Sequence, residues 1–520
     1  MNKSLSALLV VMALTWRTPA GAHADSGSLS LTLSEAIRLA VENNLDVRAE
    51  LYTPAQFEAE TNRNRAIYDP LLSAQTLFTD STTGSAYKTA QSGQGNSGID
   101  LSDPTISATG AGRNIVRSWE LNSSLSQLFP SGATASLAFN NASLSNNSTV
   151  LLNDYWQSDL AVTLNQPLLK NFGRENTEAA INISRISKSA SLERFTSRLL
   201  NTVAQVRQEY YNLYDQQEQL AVKKSSLELA QKILAETKSR VAAGVLPAME
   251  ISNAEFGVAG REKDLLDAER QVKDQEDTVR LLLQLSDQRE LKPVDRPRLD
   301  PVPVNTDQAI KRALANPEIR EQKKNLEISK LQTRIFGNNT KPDLSLAASN
   351  SLTGLDRRYQ EDLEKVGAMT YPVWSVGLNF TYPLGNAAAE NDYRKSQLKT
   401  TQTALQIRSL EENTINGVKA AIRGIETTYK QIEVAARGRA YAEERLQAYI
   451  RKNEVGLATI KDVLEVENDL ATAKGNQIAA EVNYDHALTL LWGLTGELLE
   501  RERIKVDETA ADDLYRNSAR

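Results

Sequence analysis

Proline placement constrains this chain more than any other feature of its sequence. The 520 residues include 15 prolines, yet none lies between Pro167 and Pro247 and none follows Pro383. Because proline removes a helical N–H and clashes with the preceding turn, its absence leaves two stretches open to helices far longer than the 8–20 residues of a globular protein. Both carry a coiled-coil period. Leu213, Leu220, Leu227, Leu234 and Val241 recur every seven residues, and Val203, Val206 and Tyr210 extend that seam backwards. In the second stretch Ile415, Val418, Ile422, Ile425, Tyr429, Ile432 and Ala436 alternate steps of three and four. Such seams must pack against other helices. A helix from Glu175 to Ala243 would be about 100 Å long at roughly 1.5 Å per residue. Gln217, Lys224, Gln231 and Lys238 repeat at the same interval, which fits either a solvated surface or the wall of a water-filled interior.

The chain is written twice. Leu33-Ser34-Glu35-Ala36-Ile37 corresponds to Thr306-Asp307-Gln308-Ala309-Ile310, with Ser34 and Asp307 as candidate N-caps of short helices. Asp69-Pro70-Leu71-Leu72 corresponds to Lys341-Pro342-Asp343-Leu344, and Val162-Thr163-Leu164-Asn165-Gln166-Pro167 to Leu378-Asn379-Phe380-Thr381-Tyr382-Pro383. Ala243-Gly244-Val245-Leu246-Pro247 corresponds to Val455-Gly456-Leu457-Ala458-Thr459, and Leu281-Leu282-Leu283 to Leu490-Leu491-Trp492. The unit is short helices, strands, a very long helix, a turn and a long helix. It divides the chain into a first copy over 25–291 (strands within 71–168, helical hairpin 175–288), a Pro-rich connector over 292–304 and a second copy over 305–498 (strands within 343–383, hairpin 386–494). A charged tail, 499–520, reads as disordered.

The strand regions Leu71–Asp80, Ser118–Leu128, Ala133–Leu144, Tyr155–Leu168, Asp343–Leu352 and Trp374–Tyr382 alternate in polarity over the 9–11 or so residues that suit a transmembrane strand. Trp119, Tyr155, Trp156, Tyr371, Trp374 and Tyr382 stand at or near strand ends, where interfacial girdles gather aromatics. Polar stretches Ser81–Arg117 and Gly354–Tyr371 read as long external loops. An extra hairpin turned at Pro130-Ser131-Gly132 is missing from the second copy, and either adds strands or forms a flap.

Other classes are excluded. No Cys is present, which removes disulfide scaffolds, thiolate nucleophiles and Cys-ligated metals. His occurs only at His23 and His486, too few for a multi-His metal site, and an exported hydrolase would hang on His486 alone. The net charge of −6 argues against nucleic acid. Residues 1–24 run from Lys3 through an apolar core to Ala22-His23-Ala24, a signal-peptide pattern, and no stretch of 18 apolar residues offers a membrane helix. An exported trimeric coiled-coil adhesin remains the competing class.

The run L-S-E-A-I-x-x-A-x-x-N-N from Leu33, the strand ending Gln166-Pro167-Leu168-Leu169 before a coiled-coil helix, and V-G-x-x-T-x-x-D-V-L from Val455 together resemble the TolC family of outer-membrane efflux proteins. The resemblance covers 29–498. It implies an α+β membrane protein: a homotrimer whose outer-membrane β-barrel continues into a long periplasmic α-helical barrel. The implied function is a passive exit duct in the outer membrane of a Gram-negative bacterium, in tripartite efflux or type I secretion. Its partners would be a periplasmic adaptor (membrane fusion) protein and an inner-membrane pump of RND, ABC or MFS type; no cofactor, metal or catalytic residue is implied. By the same resemblance Asp462 and Glu465, three residues apart on one helix face, would line the periplasmic gate. Gly244, Val245, Leu246, Gly456, Leu457 and Thr459 would form adaptor-docking turns, and Trp119, Tyr155, Trp156, Trp374 and Tyr382 the aromatic girdle. Relatives place a basic residue just after the turn glycine to hold the duct shut; here Ala458 stands there, with Lys461 nearby.

Overall fold

The computed structural model describes residues 28–86, 111–147, 152–507 and 509–518. The expected signal peptide, 1–24, and the middle of the loop expected between Ser81 and Arg117 lie outside them. The elements are β1 (Leu29–Leu31), α1 (Leu33–Asn43), α2 (Leu45–Arg65), β2 (Leu71–Ala86), β3 (Ala111–Leu128), β4 (Thr134–Asn146), β5 (Asp154–Pro167), α3 (Arg174–Thr177), α4 (Ala179–Ala242) and α5 (Met249–Leu283), followed by β6 (Leu291–Pro293). The order then runs α6 (Thr306–Ala313), α7 (Pro317–Asn339), β7 (Asp343–Thr353), α8 (Tyr359–Gly367), β8 (Tyr371–Thr381), α9 (Ala387–Glu454), α10 (Ile460–Thr495), α11 (Leu498–Arg501) and α12 (Ala510–Ser518). The proline-free stretches supply α4 and α9, of 64 and 68 residues.

The described residues form two compact units, those within 1–48 with 198–313 and 415–505, and those within 49–197 with 314–414 and 506–520. Each takes segments from both sequence copies. In the first unit, Val203, Val206, Tyr210 and Leu213 of the α4 seam are buried. The rest of that seam is half-buried, and Leu227 and Leu234 join Ala230 of the same helix in packing with Ala254 and Val258 of α5 and Ile460 and Leu464 of α10. Leu446, Val463, Val466 and Leu470 join α9 to α10. Lys224, Gln231 and Lys238 are exposed. The parallel pair β1–β6 is tied to α4 by Tyr210, whose hydroxyl donates to Leu31 O (2.9 Å) and accepts from Val294 N and Asp295 N (3.0 Å each). Burial pushes the Tyr210 phenol up to about 12.

In the second unit, six strands make one antiparallel sheet, ordered β2-β3-β4-β5-β7-β8. The extra hairpin β3–β4 is thus part of the sheet. Side chains alternate between faces along a strand, and the register carries that alternation across every ladder. One face gathers Leu72 and Phe78, Trp119 and Leu121, Leu137 and Phe139, Leu160 and Val162, Leu344 and Leu346, Val376 and Phe380. The other gathers Ser73 and Gln75, Asn122 and Ser124, Ser136 and Asn140, Asp159 and Thr163, Ser345 and Ser349, Ser375 and Asn379. Val376, Leu378 and Phe380 are 64–66% exposed, so the apolar face is uncovered along β8.

Four expectations need correction. The caps lie earlier than Ser34 and Asp307: Thr32 accepts from Glu35 N and Asn305 Oδ1 accepts from Gln308 N, because these side chains reach the free N–H groups of the first turn. Gly354–Tyr371 is not a plain loop. Its helix α8 packs on β5 through Asp362, which is fully buried and accepts hydrogen bonds from the Ser158 hydroxyl and backbone N–H (3.3 Å to the latter). The tail from 499 is not disordered over the residues described: Ala511 of α12 is buried, and Lys188 donates to Asp512 (2.5 Å) and to Glu58 (2.8 Å). Lastly, Tyr155 does not share a face with Trp156. It pairs with Leu144 on the polar side, since neighbouring strand residues point oppositely.

Candidate functional site at the helical turns

The turns that end α4 and α9 are built alike. Val245 N–H donates to Arg240 O (2.9 Å) and Gly244 N–H to Val241 O (2.9 Å); Leu457 N–H donates to Lys452 O (2.8 Å) and Gly456 N–H to Asn453 O (3.1 Å). These are the paired bonds of a Schellman turn, which satisfies the last helical carbonyls with a left-handed residue just past the helix. Gly244 (φ 77°) and Gly456 (φ 78°) supply that conformation without a Cβ penalty. The next residue in such a turn commonly packs back on its helix. Here it does not: Val245 is 63% exposed and Leu457 78%. With Met249 and Val455 also exposed, an apolar surface is left uncovered at the turns, while Leu246 is half-buried.

The helices that follow start differently. In α10, Thr459 Oγ1 accepts from Asp462 N–H (3.2 Å), and Asp462 Oδ2 accepts from Thr459 N–H and Oγ1–H (2.8 Å each). This capping box satisfies two otherwise free donors reciprocally. The bond from the Thr459 backbone, then the hydroxyl bond, holds the Asp462 carboxyl below its usual range. Asp462 is half-exposed and Glu465, one turn on, is exposed. In α5 the cap position is Ala248, which offers no side-chain acceptor. Leu246, Pro247, Gly456, Leu457, Thr459 and Asp462 share the walls of a cavity of about 280 Å³ between the two turns.

Two arginines hold this end together. Arg240 of α4 donates from Nη1 to Asn453 Oδ1 (3.0 Å) and from Nη2 to Asn453 O (3.2 Å), and Asn453 Nδ2 donates to Ala458 O (2.9 Å). A guanidinium from the neighbouring hairpin therefore serves the turn where Ala458 stands. Arg261 of α5 donates to Leu464 O (2.7 Å) and, from Nε (3.2 Å) and Nη2 (2.9 Å), to Glu467, whose side chain is 4% exposed. Neither arginine stood out in the sequence, because each acts across helices and its spacing matches no motif. The capping box had a signal, Thr-x-x-Asp before an apolar run.

His486 shows no hydrolase arrangement. Its Nε2 pairs with Asn212 Oδ1 (2.9 Å) and burial lowers its pKa. The neighbouring Asp485 is taken by Arg207 (2.5 Å), which also reaches Glu502 (2.6 Å). Among the described residues no group of acidic and His side chains could hold a metal ion.

Of the aromatic residues singled out, Trp119, Trp156 and Trp374 share the apolar face of the sheet. Trp119 and Trp156 meet edge to face at 6.4 Å, and Tyr359 of α8 lies 4.8 Å from Trp156. Tyr382 follows the last residue of β8. Tyr359 was missed because it belongs to a helix within an expected loop.

No curated protein sequence matches the chain, but solved structures do. It is similar in fold to the outer-membrane channel OprN (TM-score 0.65, 14% identity, covering 89% of each chain). The outer-membrane protein VceC from Vibrio cholerae superposes with TM-score 0.62 at 13% identity, over 89% of this chain and 96% of that one. For the Campylobacter jejuni CmeC outer membrane channel the values are 0.61 and 14%, over 93% and 89%. The description "outer membrane efflux protein" attaches to the sequence family that matches residues 121–283 and 309–497, which take in β4, β5, β7, β8 and all four long helices. The chain belongs to the outer membrane efflux protein family.

Proposed function

We propose that this outer-membrane, non-enzymatic protein is the exit duct of a tripartite efflux or type I secretion system. It works as a homotrimer whose sheets close into a barrel and whose long helices line a passive tunnel through the periplasm. One observation carries the reading: a sheet apolar on one face and polar on the other passes, at the ends of β5 and β8, into the two longest helices of the chain. Lipid accepts such a sheet only as a closed barrel. Among the described residues no helix is long and apolar enough to cross a membrane, so spanning falls to the strands.

The helical turns are the adaptor-docking surface in this reading. Gly244 and Gly456 shape them, Val245, Leu246 and Leu457 give apolar contact, and Thr459 fixes the following helix. The adaptor (membrane fusion) protein connects the duct to an inner-membrane RND, ABC or MFS pump. Asp462 and Glu465 are the gate: repeated in three copies they make rings of carboxylates, which favour cations. In planar bilayers Asp462→Ala with Glu465→Ala weakens cation block of the conductance; unchanged block removes these residues from the gate. Membrane fractionation separates the duct from a surface adhesin. A duct sediments with outer membranes as a heat-modifiable trimer, whereas recovery as a detachable surface rod defeats the proposal.

A further inference from the structure

We propose that the membrane barrel is a ring of eighteen strands, six from each of three copies, closed by pairing β2 of one copy with β8 of the next. This rests on the trimeric duct just proposed and specifies its seam and its width.

The extra hairpin sits in the middle of the sheet. β3 pairs with β2 from Leu71↔Ser126 to Ala86↔Ala111, and β4 pairs with β5 from Thr134↔Asn165 to Ser145↔Asp154. Removing it would part β2 from β5. The hairpin also keeps the two-faced pattern: Leu121 and Leu125 lie on the apolar side with Leu137, and Asn122 and Ser124 on the polar side with Asn140. A flap outside the membrane has no need of a continuous apolar face.

Among the described residues, β2 and β8 each have one edge without a partner strand. In hydrocarbon, with no water to bond, an open edge leaves a row of N–H and C=O groups unsatisfied, each costing several kcal/mol. Six strands are fewer than the eight or so of the smallest membrane barrels, so one chain cannot close its own sheet. A second copy supplies the missing edge in the right sense. Every ladder is antiparallel and the strand number is even, so β2 and β8 run in opposite directions. Following the register across the sheet brings Leu71, the start of β2, level with Ser375 in the middle of β8, the stagger that tilted strands of a closed barrel require. Copies joined this way keep Leu72 and Phe380 on the lipid side and Gln75 and Asn379 on the water side.

Barrel diameter grows roughly linearly with strand number. Three copies without the hairpin would give twelve strands; with it the ring is about 1.5 times as wide. A ring of this size encloses an aqueous channel, in keeping with the small polar residues Ser73, Ser124, Ser136, Thr163, Ser349 and Ser375 on the inner face.

The chain has no native Cys, so the seam can be read by cysteine pairs in the full-length protein in native outer membranes. For the seam, Gln75→Cys is combined in turn with Tyr371→Cys, Val373→Cys, Ser375→Cys, Gly377→Cys, Asn379→Cys and Thr381→Cys, the positions of β8 on the polar face. Ser136→Cys with Thr163→Cys reports the hairpin against β5, where the two native hydroxyls are hydrogen-bonded at 2.5 Å. Gln75→Cys with Thr163→Cys reports β2 meeting β5 directly, as it would if the hairpin left the barrel. After oxidation and denaturing electrophoresis, at least one seam pair is expected to give species of two and three chains and none larger. The Ser136/Thr163 pair should close within one chain, and the Gln75/Thr163 pair should not react. A reactive Gln75/Thr163 pair, or a silent Ser136/Thr163 pair, overturns the eighteen-strand ring while leaving the duct intact. Failure of the duct reading looks different: ladders beyond three chains, or absence of the protein from the outer membrane.

Discussion

Thr459 and Asp462 hold the first turn of α10 with a reciprocal pair of bonds, and that turn carries the proposed gate. Losing a Thr cap costs about 1 kcal/mol. Thr459→Ala should therefore lower hydrogen-exchange protection of the first α10 amides about fivefold, with little change in the middle of the helix. The carboxylate gives this turn a pH dependence of known sign. Because its folded pKa is depressed, the stabilisation is fully present above the ordinary carboxylate value near 4 and is lost as pH falls through the lower folded value. Asp462→Asn should abolish that acid-side loss of protection. Deeper in, Arg261→Met strands the buried Glu467 carboxylate, and breaking a buried pair in this way costs about 3–5 kcal/mol. Pairing it with Glu467→Met should recover most of the loss, as read by chemical denaturation. Asp462 was legible in the sequence as an acid beside a turn. Its bonds to Thr459 were legible only as a spacing, and the reach of Arg240 across to Asn453 was not legible at all, because sequence distance says nothing about which helices adjoin.

The two turns match as elements even where their sequences differ. Both glycines hold φ near 78° with open space where a Cβ would go, so backbone conformation alone sets the cost of substitution. Gly244→Ala and Gly456→Ala should each destabilise their turn by about 1–2 kcal/mol and by similar amounts, measured as local exchange at 240–246 and 452–458. Unequal costs would mean that some contact beyond the turn is being lost. Long helices and alternating strands were the most legible features, since a seven-residue seam and a two-residue alternation are local and repeat many times. The placement of the β3–β4 hairpin was less so: alternation marks a strand but does not name its neighbour. Helix α8 was hidden for a related reason. Its buried side is marked by Asp362, an acid that reads as solvent-facing until Ser158 is brought opposite.

At the scale of the molecule, the sequence copies and the compact units are different divisions. Segments of both copies enter each unit. Within the first unit α4 and α5 of the first copy bury Ala230, Ala254 and Val258 against Ile460 and Leu464 of the second. In the second unit the β5–β7 ladder joins the copies. A chain ended after residue 291 should therefore yield no trypsin-resistant fragment; a stable one would show that a single copy folds alone. That same ladder sets a timetable for biogenesis. Emerging from its export machinery, the chain delivers β2 to β5 first, yet β7 follows roughly 180 residues behind β5, a separation that makes pairing slow. Through that interval Phe78, Trp119, Phe139 and Val162 have neither lipid nor a finished sheet, which is the state most prone to aggregate. The long wait between β5 and β7 thus makes the half-made sheet the vulnerable stage of assembly.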